Sequence, residues 1–261
     1  MSLNDAAAGA INKKVVLLDQ SFGRFATRST LAGVYLTIGT AFAGVVGQAV
    51  EELFPGMGSV VFALFFGLGL FAIILLGAEL ATGNMMYVVY GALNKQVGWG
   101  KGFWLLFVTT VFNLLGCILF AAAMGMSAKF AGMDPTHLIS VLSEGKLNKE
   151  PGGMFVEAIL ANFVVNMAVV GAVFAKDVVS KFFVILPIIA AFVGMGLEHV
   201  IANFCLFTLT FFSSDTLTDA MTVGSVAINW TLVWIGNLVG GGFLIGGVYA
   251  YLNKGPDAYR D

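Results

Sequence analysis

The sequence predicts an all-α, polytopic membrane protein, and three observations carry that prediction. Of its 261 residues, 59% are hydrophobic and only 11% are charged, and the mean hydropathy is +0.92; soluble domains sit near roughly half apolar and about a quarter charged. The apolar runs reach the length of a bilayer crossing, about 20 residues. They are apolar on every side rather than in alternation, so helices, not a barrel, satisfy the backbone in lipid.

Ile11, Val15, Leu18, Phe22 and Phe25 recur at helical spacing, which predicts an amphipathic cytoplasmic helix within 1–28 lying at the membrane surface. Six apolar segments follow, near 29–52, 59–92, 102–128, 153–175, 182–212 and 225–252, making one transmembrane domain over 29–252 with a short cytoplasmic tail at 253–261. The second and fifth segments are too long for one crossing, so each is expected to be a span broken in its middle. With six spans, Lys13, Lys14, Arg24, Arg28, Lys95, Lys101, Lys176, Lys181, Lys254 and Arg260 share one side, and only Lys129, Lys146 and Lys149 face the other. The positive-inside rule then places both termini in the cytoplasm, with the protein in the cytoplasmic membrane.

The breaks coincide with two octapeptides that echo each other, "GAELATGN" (Gly77 to Asn84) and "GLEHVIAN" (Gly196 to Asn203), 119 residues apart by their first positions. "NLLG" at Asn113 and "NLVG" at Asn237 repeat at a similar offset, 124 residues. One three-span unit is therefore duplicated. Three being odd, the second copy enters the membrane from the opposite side, an inverted repeat whose broken helices meet near the midplane.

A carboxylate at mid-bilayer costs about 2.5–3.5 kcal/mol even on the lenient insertion scale, so Glu79 and Glu198 require a role. The expected one is support of the breaks, with the carboxylates accepting helix-end N–H groups and Asn84 and Asn203 closing each octapeptide. The starts of the two half-helices direct partial positive charge inward and favour an anion. His199 is the only histidine within a span, since His137 falls in a loop. Its charge changes near physiological pH, and Thr82 and Asn162 are its expected hydrogen-bond partners. Phe66, Leu70, Leu80 and Phe192 flank the breaks as candidate apolar constrictions, which block hydrated ions by dewetting.

Several classes are excluded. A net charge of −2 offers no basic face for nucleic acid. Walker loop, nucleophile elbow and His/Cys metal spacing are missing, so neither an enzyme nor a bound cofactor or metal is expected. "GGGFLIGG" at Gly240 to Gly247 reads as close helix packing, Pro187 as a kink, and Cys117 and Cys205 as small packing residues.

"GAEL" with Thr82, "EAILAN" (Glu157 to Asn162) and "GLEHVIAN" together resemble the formate/nitrite transporter family, with matching spacing from the first span to the sixth. The resemblance implies an aquaporin-like six-helix protomer with broken spans two and five, assembled as a homopentamer in which each protomer, surrounded by lipid, holds its own pore. It implies that Thr82 sits on the loop of broken span two, that His199 and Asn162 reach the pore centre, and that Phe66, Leu70, Leu80 and Phe192 form slits. Lys146 matches an external basic residue that draws anions in, and its loop position suggests a Debye length or more between it and the centre. "GLEH" and "IANFCLF" depart from the "GFEH" and "IANMF" of formate members at positions flanking the pore. The implied activity is proton-linked passage of formate or similar small monovalent acids. Nitrite or hydrosulfide passage is the sibling reading. A neutral-solute channel of the aquaporin type is disfavoured by the missing Asn-Pro-Ala pair and the intramembrane His199.

Overall fold

The computed structural model describes residues 3–255, so the end of the expected tail, including Arg260, lies outside the described residues. The first helix, α1 (Leu3–Gln20), stops at Ser21, whose φ of −152° leaves the helical region, and α2 (Phe22–Leu53) is the first long span. The junction falls earlier than the sequence suggests, and Phe22 and Phe25 belong to the span. The apolar stripe of α1 does not face the membrane surface. Ile11 and Leu18 are buried with Met85, Val88, Val97 and Leu105, and Gly91 lets Ile11 approach until an added Cβ would lie 3.0 Å from it. Burial against a fixed protein groove removes the same area from water as lipid would and adds close packing.

The second crossing is broken into α3 (Gly58–Leu75) and α4 (Ala81–Leu93), and α5 (Trp99–Gly125) completes the first unit. A short loop helix, α6 (Leu138–Leu147), connects to α7 (Pro151–Phe174). The fifth crossing is broken into α8 (Val178–Gly194) and α9 (Val200–Ser213). The sixth runs from α10 (Val223–Asn237) through a π-helical stretch (Leu238–Gly247) into α11 (Val248–Leu252). Five of these helices, counting the sixth crossing as one, are long and apolar enough to cross a membrane; α8 and α9 are shorter apolar pieces. The two expected breaks are thus where the octapeptides fall.

The first half of each broken crossing ends the same way. Gly77 (φ +66°) and Gly196 (φ +69°) take the left-handed conformation that stops a helix, and Ala78 N donates back to Ile73 O at 3.0 Å, closing the cap of α3. The paired tetrapeptides seal the units by close approach. A Cβ on Gly116 would lie 2.0 Å from Thr30 O, and one on Gly240 would lie 1.9 Å from Ile159 O. Only glycine lets α5 lie on α2, and the sixth crossing on α7, at this distance. Helices α3 and α8 pack on each other across the two units, which brings both breaks to the middle of the protein.

Candidate functional site

Each break is held by the asparagine of its tetrapeptide. Asn113 Oδ1 accepts from Ala81 N at 2.9 Å, while its Nδ2 donates to Glu79 O (2.8 Å) and Ser29 O (2.7 Å). Asn237 Oδ1 accepts from Val200 N at 2.8 Å, and its Nδ2 donates to Glu198 O (2.9 Å) and Ala158 O (2.8 Å). An amide side chain can accept and donate at once, which a carboxylate cannot. This corrects the expected role of the glutamates: among the described residues, no backbone N–H donates to the carboxylate of Glu79 or Glu198.

The carboxylates hold cations instead. Glu79 Oε2 accepts from Lys14 Nζ of α1 (2.5 Å) and from Asn84 Nδ2 (3.0 Å). Glu198 Oε1 accepts from Lys146 Nζ (2.9 Å) and Lys149 Nζ (2.8 Å), and its Oε2 from Asn203 Nδ2 (2.6 Å). The symmetry extends to the loop carbonyls, since Arg28 Nη1 donates to Gly77 O (2.9 Å) and Lys149 Nζ donates to Gly196 O (2.7 Å). Asn84 also reaches Thr109 Oγ1, and Asn203 reaches Asn229 Oδ1.

Lys146 is therefore not remote from the centre. Helix α6 folds back over the second break, and the Lys146 Nζ also donates to Leu197 O at 3.2 Å, two residues before His199. Burial pushes its ammonium below the ordinary lysine pKa against the pull of the Glu198 carboxylate. Helix α6 is anchored by Ser143 Oγ against Thr210 Oγ1 (2.8 Å) and capped by His137, whose Nδ1 accepts from Ile139 N at 3.2 Å.

At the centre, His199 Nε2 lies 2.8 Å from Thr82 Oγ1, joining the first turn of α4 to the start of α9. His199 is the N-cap of α9, and its Nδ1 accepts from Ala202 N at 3.2 Å. A ring nitrogen accepting from an N–H carries no proton, so the proton of the neutral ring is on Nε2 and points to Thr82. The hydroxyl hydrogen of Thr82 is then free to donate elsewhere. No hydrogen bond joins Asn162 to His199 among the described residues. Asn162 is buried behind Thr82, and its Nδ2 donates to Thr82 O (3.2 Å) and Asn237 O (2.8 Å), while its Oδ1 accepts from Asn166. Asn166 Nδ2 also reaches Thr82 O at 3.3 Å.

Two cavities approach this pair. One, about 280 Å³, reaches inward from Lys146 and Lys149 to Phe66 and Phe192; those rings are 6.2 Å apart, and Phe192 lies edge-on to His199 at 5.8 Å. The other, about 560 Å³, reaches from α1, Arg28 and Lys181 to Leu70 and Leu80. Phe66, Leu70, Leu80 and Phe192 are all buried. Phe66 and Phe192 line the smaller cavity and Leu70 and Leu80 the larger, while His199 and Thr82 line neither.

Sequence reasoning missed Asn113 and Asn237 as functional side chains, although their repetition was visible. It also missed Asn166, and the lysines of α1 and of the α6–α7 loop, whose partners are distant in sequence.

The chain is matched by the family model described as "Formate/nitrite transporter" over residues 3–251. It is 30% identical to a probable formate transporter of Methanothermobacter thermautotrophicus over 88% of each chain. Among solved structures it is similar to an "FNT family ion channel", with TM-score 0.88 and 26% identity over 95% of this chain and 97% of that one. A "Pentameric formate channel with formate bound" shares the fold, with TM-score 0.73 and 24% identity over 87% and 95% of the two chains. The chain belongs to the formate/nitrite transporter family, a membrane transporter with the aquaporin-like fold of that family's channels and not an enzyme.

Proposed function

We propose that the protein passes formate, or a small monovalent acid of the same kind, through each protomer as the neutral acid, with the His199–Thr82 pair assisting the proton transfer. The observation that carries this reading is the 2.8 Å contact between His199 Nε2 and Thr82 Oγ1, and Phe66 with Phe192 on one side and Leu70 with Leu80 on the other are its proposed constrictions. An acid with a pKa near ~4 is neutral in about one molecule per thousand at pH 7. A dry slit rejects the remainder as charge. The mouths attract the anion, and the inward-facing starts of α4 and α9 stabilise it at the centre. Thr82, its oxygen accepting from His199, turns its hydroxyl hydrogen toward the anion.

The tautomer limits what the histidine does. Giving up the Nε2 proton from the neutral ring would leave an imidazolate, so a proton taken from His199 must be replaced, from water or at Nδ1. Protonation at Nδ1 ejects Ala202 N–H from its cap, a loss of about 0.5–2 kcal/mol. His199 thus acts as a polarising donor whose protonated state is short-lived, and Asn162 with Asn166 positions Thr82 from behind.

The family supports nitrite as a second member of the same substrate class. A homopentameric assembly in the cytoplasmic membrane, with both termini in the cytoplasm, is part of the proposal. It is supported by the pentameric channel of like fold and by the lysines and arginine gathered at the α1 mouth.

His199→Asn tests the mechanism, because asparagine is also a good N-cap and leaves α9 intact. In proteoliposomes carrying a pH-sensitive dye, proton-coupled formate uptake should fall about two- to tenfold, as expected when a hydrogen bond between neutral groups worth about 0.5–1.5 kcal/mol is lost. Anion current on the same preparation should be unchanged or rise. A variant still moving one proton per formate with an unaltered pH profile would remove His199 from the mechanism and leave water held by Thr82 as the donor. Nitrite, hydrosulfide and glycerol in the same assay rank the substrates.

A further inference from the structure

The two mouths differ in charge. Lys146 and Lys149 line the smaller cavity, but both bond to Glu198, and Lys149 also pairs with Glu157. Two cations there meet two carboxylates. The larger cavity is lined by Lys13 and Lys14 of α1, Arg28 of α2 and Lys181 of α8, against the single carboxylate of Glu79. Its formal excess is three positive charges. Lys14 is engaged by Glu79 and Arg28 by Gly77 O, whereas the side chains of Lys13 and Lys181 have no hydrogen-bond or ion-pair partner among the described residues.

A monovalent acid has no use for so large an excess. One cation suffices to attract it, and three fixed charges would hold it back. Charges converging from three separate helices on one cavity match an anion carrying two or more charges. At about 560 Å³, the cavity is within the range of small-molecule sites, roughly 300–1,000 Å³. Its inner end is closed by Leu70 and Leu80, both buried. A single proton neutralises formate, but leaves a di- or trianion charged. Such an anion enters the cavity and stops at the slit.

We propose that the mouth beside α1 is a binding site for a multivalent phosphate-bearing anion, held by Lys13, Lys181 and Arg28, which plugs the path from that side only. This rests on reading the cavity as one mouth of the path, and the test separates the two ideas by measuring binding without transport. Pyrophosphate is the probe. Titrated into the detergent-solubilised protein at fixed ionic strength, it should bind, and the double variant K13A/K181A should raise its dissociation constant at least tenfold. In proteoliposomes sorted into the two orientations by an N-terminal tag, pyrophosphate should inhibit formate flux when added to the α1 face and not when added to the other. The double variant's own flux without pyrophosphate is the reference against which its inhibition is read. If the bound phosphate belongs to a lipid headgroup, the wild-type protein will retain anionic phospholipid through purification, the double variant will lose it, and pyrophosphate will bind only after delipidation. Binding unchanged by K13A/K181A, or reproduced by chloride at equal ionic strength, overturns the site. Site-dependent binding with no inhibition from either face keeps the site and refutes the plug, and with it the reading of this cavity as a mouth of the path.

Discussion

The two halves of the protein share a scaffold and differ in what they present to the path. Gly77 and Gly196, Glu79 and Glu198, and Asn84 and Asn203 occupy equivalent positions, and Asn113 and Asn237 make matching sets of three hydrogen bonds. Leu80 and His199 also stand at equivalent positions, each the N-cap of its half-helix. In the proposed function one walls a constriction and the other is the polar group at the centre. The two units thus share the residues that hold a helix end inside a membrane, where each unsatisfied backbone group is expensive, and differ at the N-cap residue of the second half-helix. The halves also recruit their cations differently: Lys14 comes from a helix preceding the first unit, Lys146 and Lys149 from the segment between the units.

The scaffold comparison breaks most visibly at the asparagines. Asn113→Ala and Asn237→Ala each strip the buried N–H at the start of a half-helix of its partner and remove two further hydrogen bonds, at about 1–3 kcal/mol per orphaned group. Both variants should lose several kcal/mol and give little folded protein in detergent, read by size-exclusion yield and thermal unfolding. Aspartate should not rescue either, because it would face two carbonyl oxygens without a proton to donate. If Asn113→Ala is tolerated while Asn237→Ala is not, the units are not equivalent scaffolds.

The glutamates should separate the halves. Glu198→Gln leaves Lys146 without a carboxylate and takes one of two from Lys149, and Glu79→Gln leaves Lys14 alone without its own. Removing one partner of a buried ion pair costs about 3–5 kcal/mol, and Glu198→Gln should approach that range while Glu79→Gln falls below it. Thermal unfolding of the two purified variants checks the ranking. Equal losses would mean that α1 is as firmly seated as α6.

The smallest effect concerns the cap of α6. Burial lowers the pKa of His137 from the ordinary 6.5, with Lys129 lowering it further and Glu52 and Asp134 opposing. The folded state holds the neutral ring, because Nδ1 must accept from Ile139 N. Its contribution is therefore present above pH 6.5 and lost as the pH falls through the depressed folded value. Acidification should weaken α6 by about 1 kcal/mol at most, the scale of an N-cap, and His137→Asn, a cap that does not titrate, should abolish that sensitivity. Hydrogen exchange of the α6 amides at neutral and acidic pH measures it.

The spans, the breaks and the inverted repeat were legible in the sequence because each leaves a local mark: a run of apolar residues, a repeated Gly-x-Glu octapeptide, a charge where lipid tolerates none. Thr82, His199 and the four constriction residues sit on or beside those marks. What was hidden is long-range. Asn113 lies 32 residues from Ala81, and Asn237 lies 37 from Val200, separations at which no periodicity connects donor to acceptor. Lys146 looked remote because a loop position says nothing of a helix folding back over the break. The stripe of α1 does not say whether lipid or a groove containing Gly91 will cover it.

The order of the ion pairs along the chain has a consequence for how the protein is made. Lys14 precedes Glu79, and Lys146 and Lys149 precede Glu198. Synthesis runs from the N-terminus, so by the time either carboxylate leaves the ribosome its counter-ion has already been translated and waits at the membrane. Neither acidic segment has to enter the bilayer ahead of the charge that will neutralise it. Insertion of each broken span is in this way a completion of the preceding segment, and α1 acts as a docking partner held in reserve for a helix that has not yet been built.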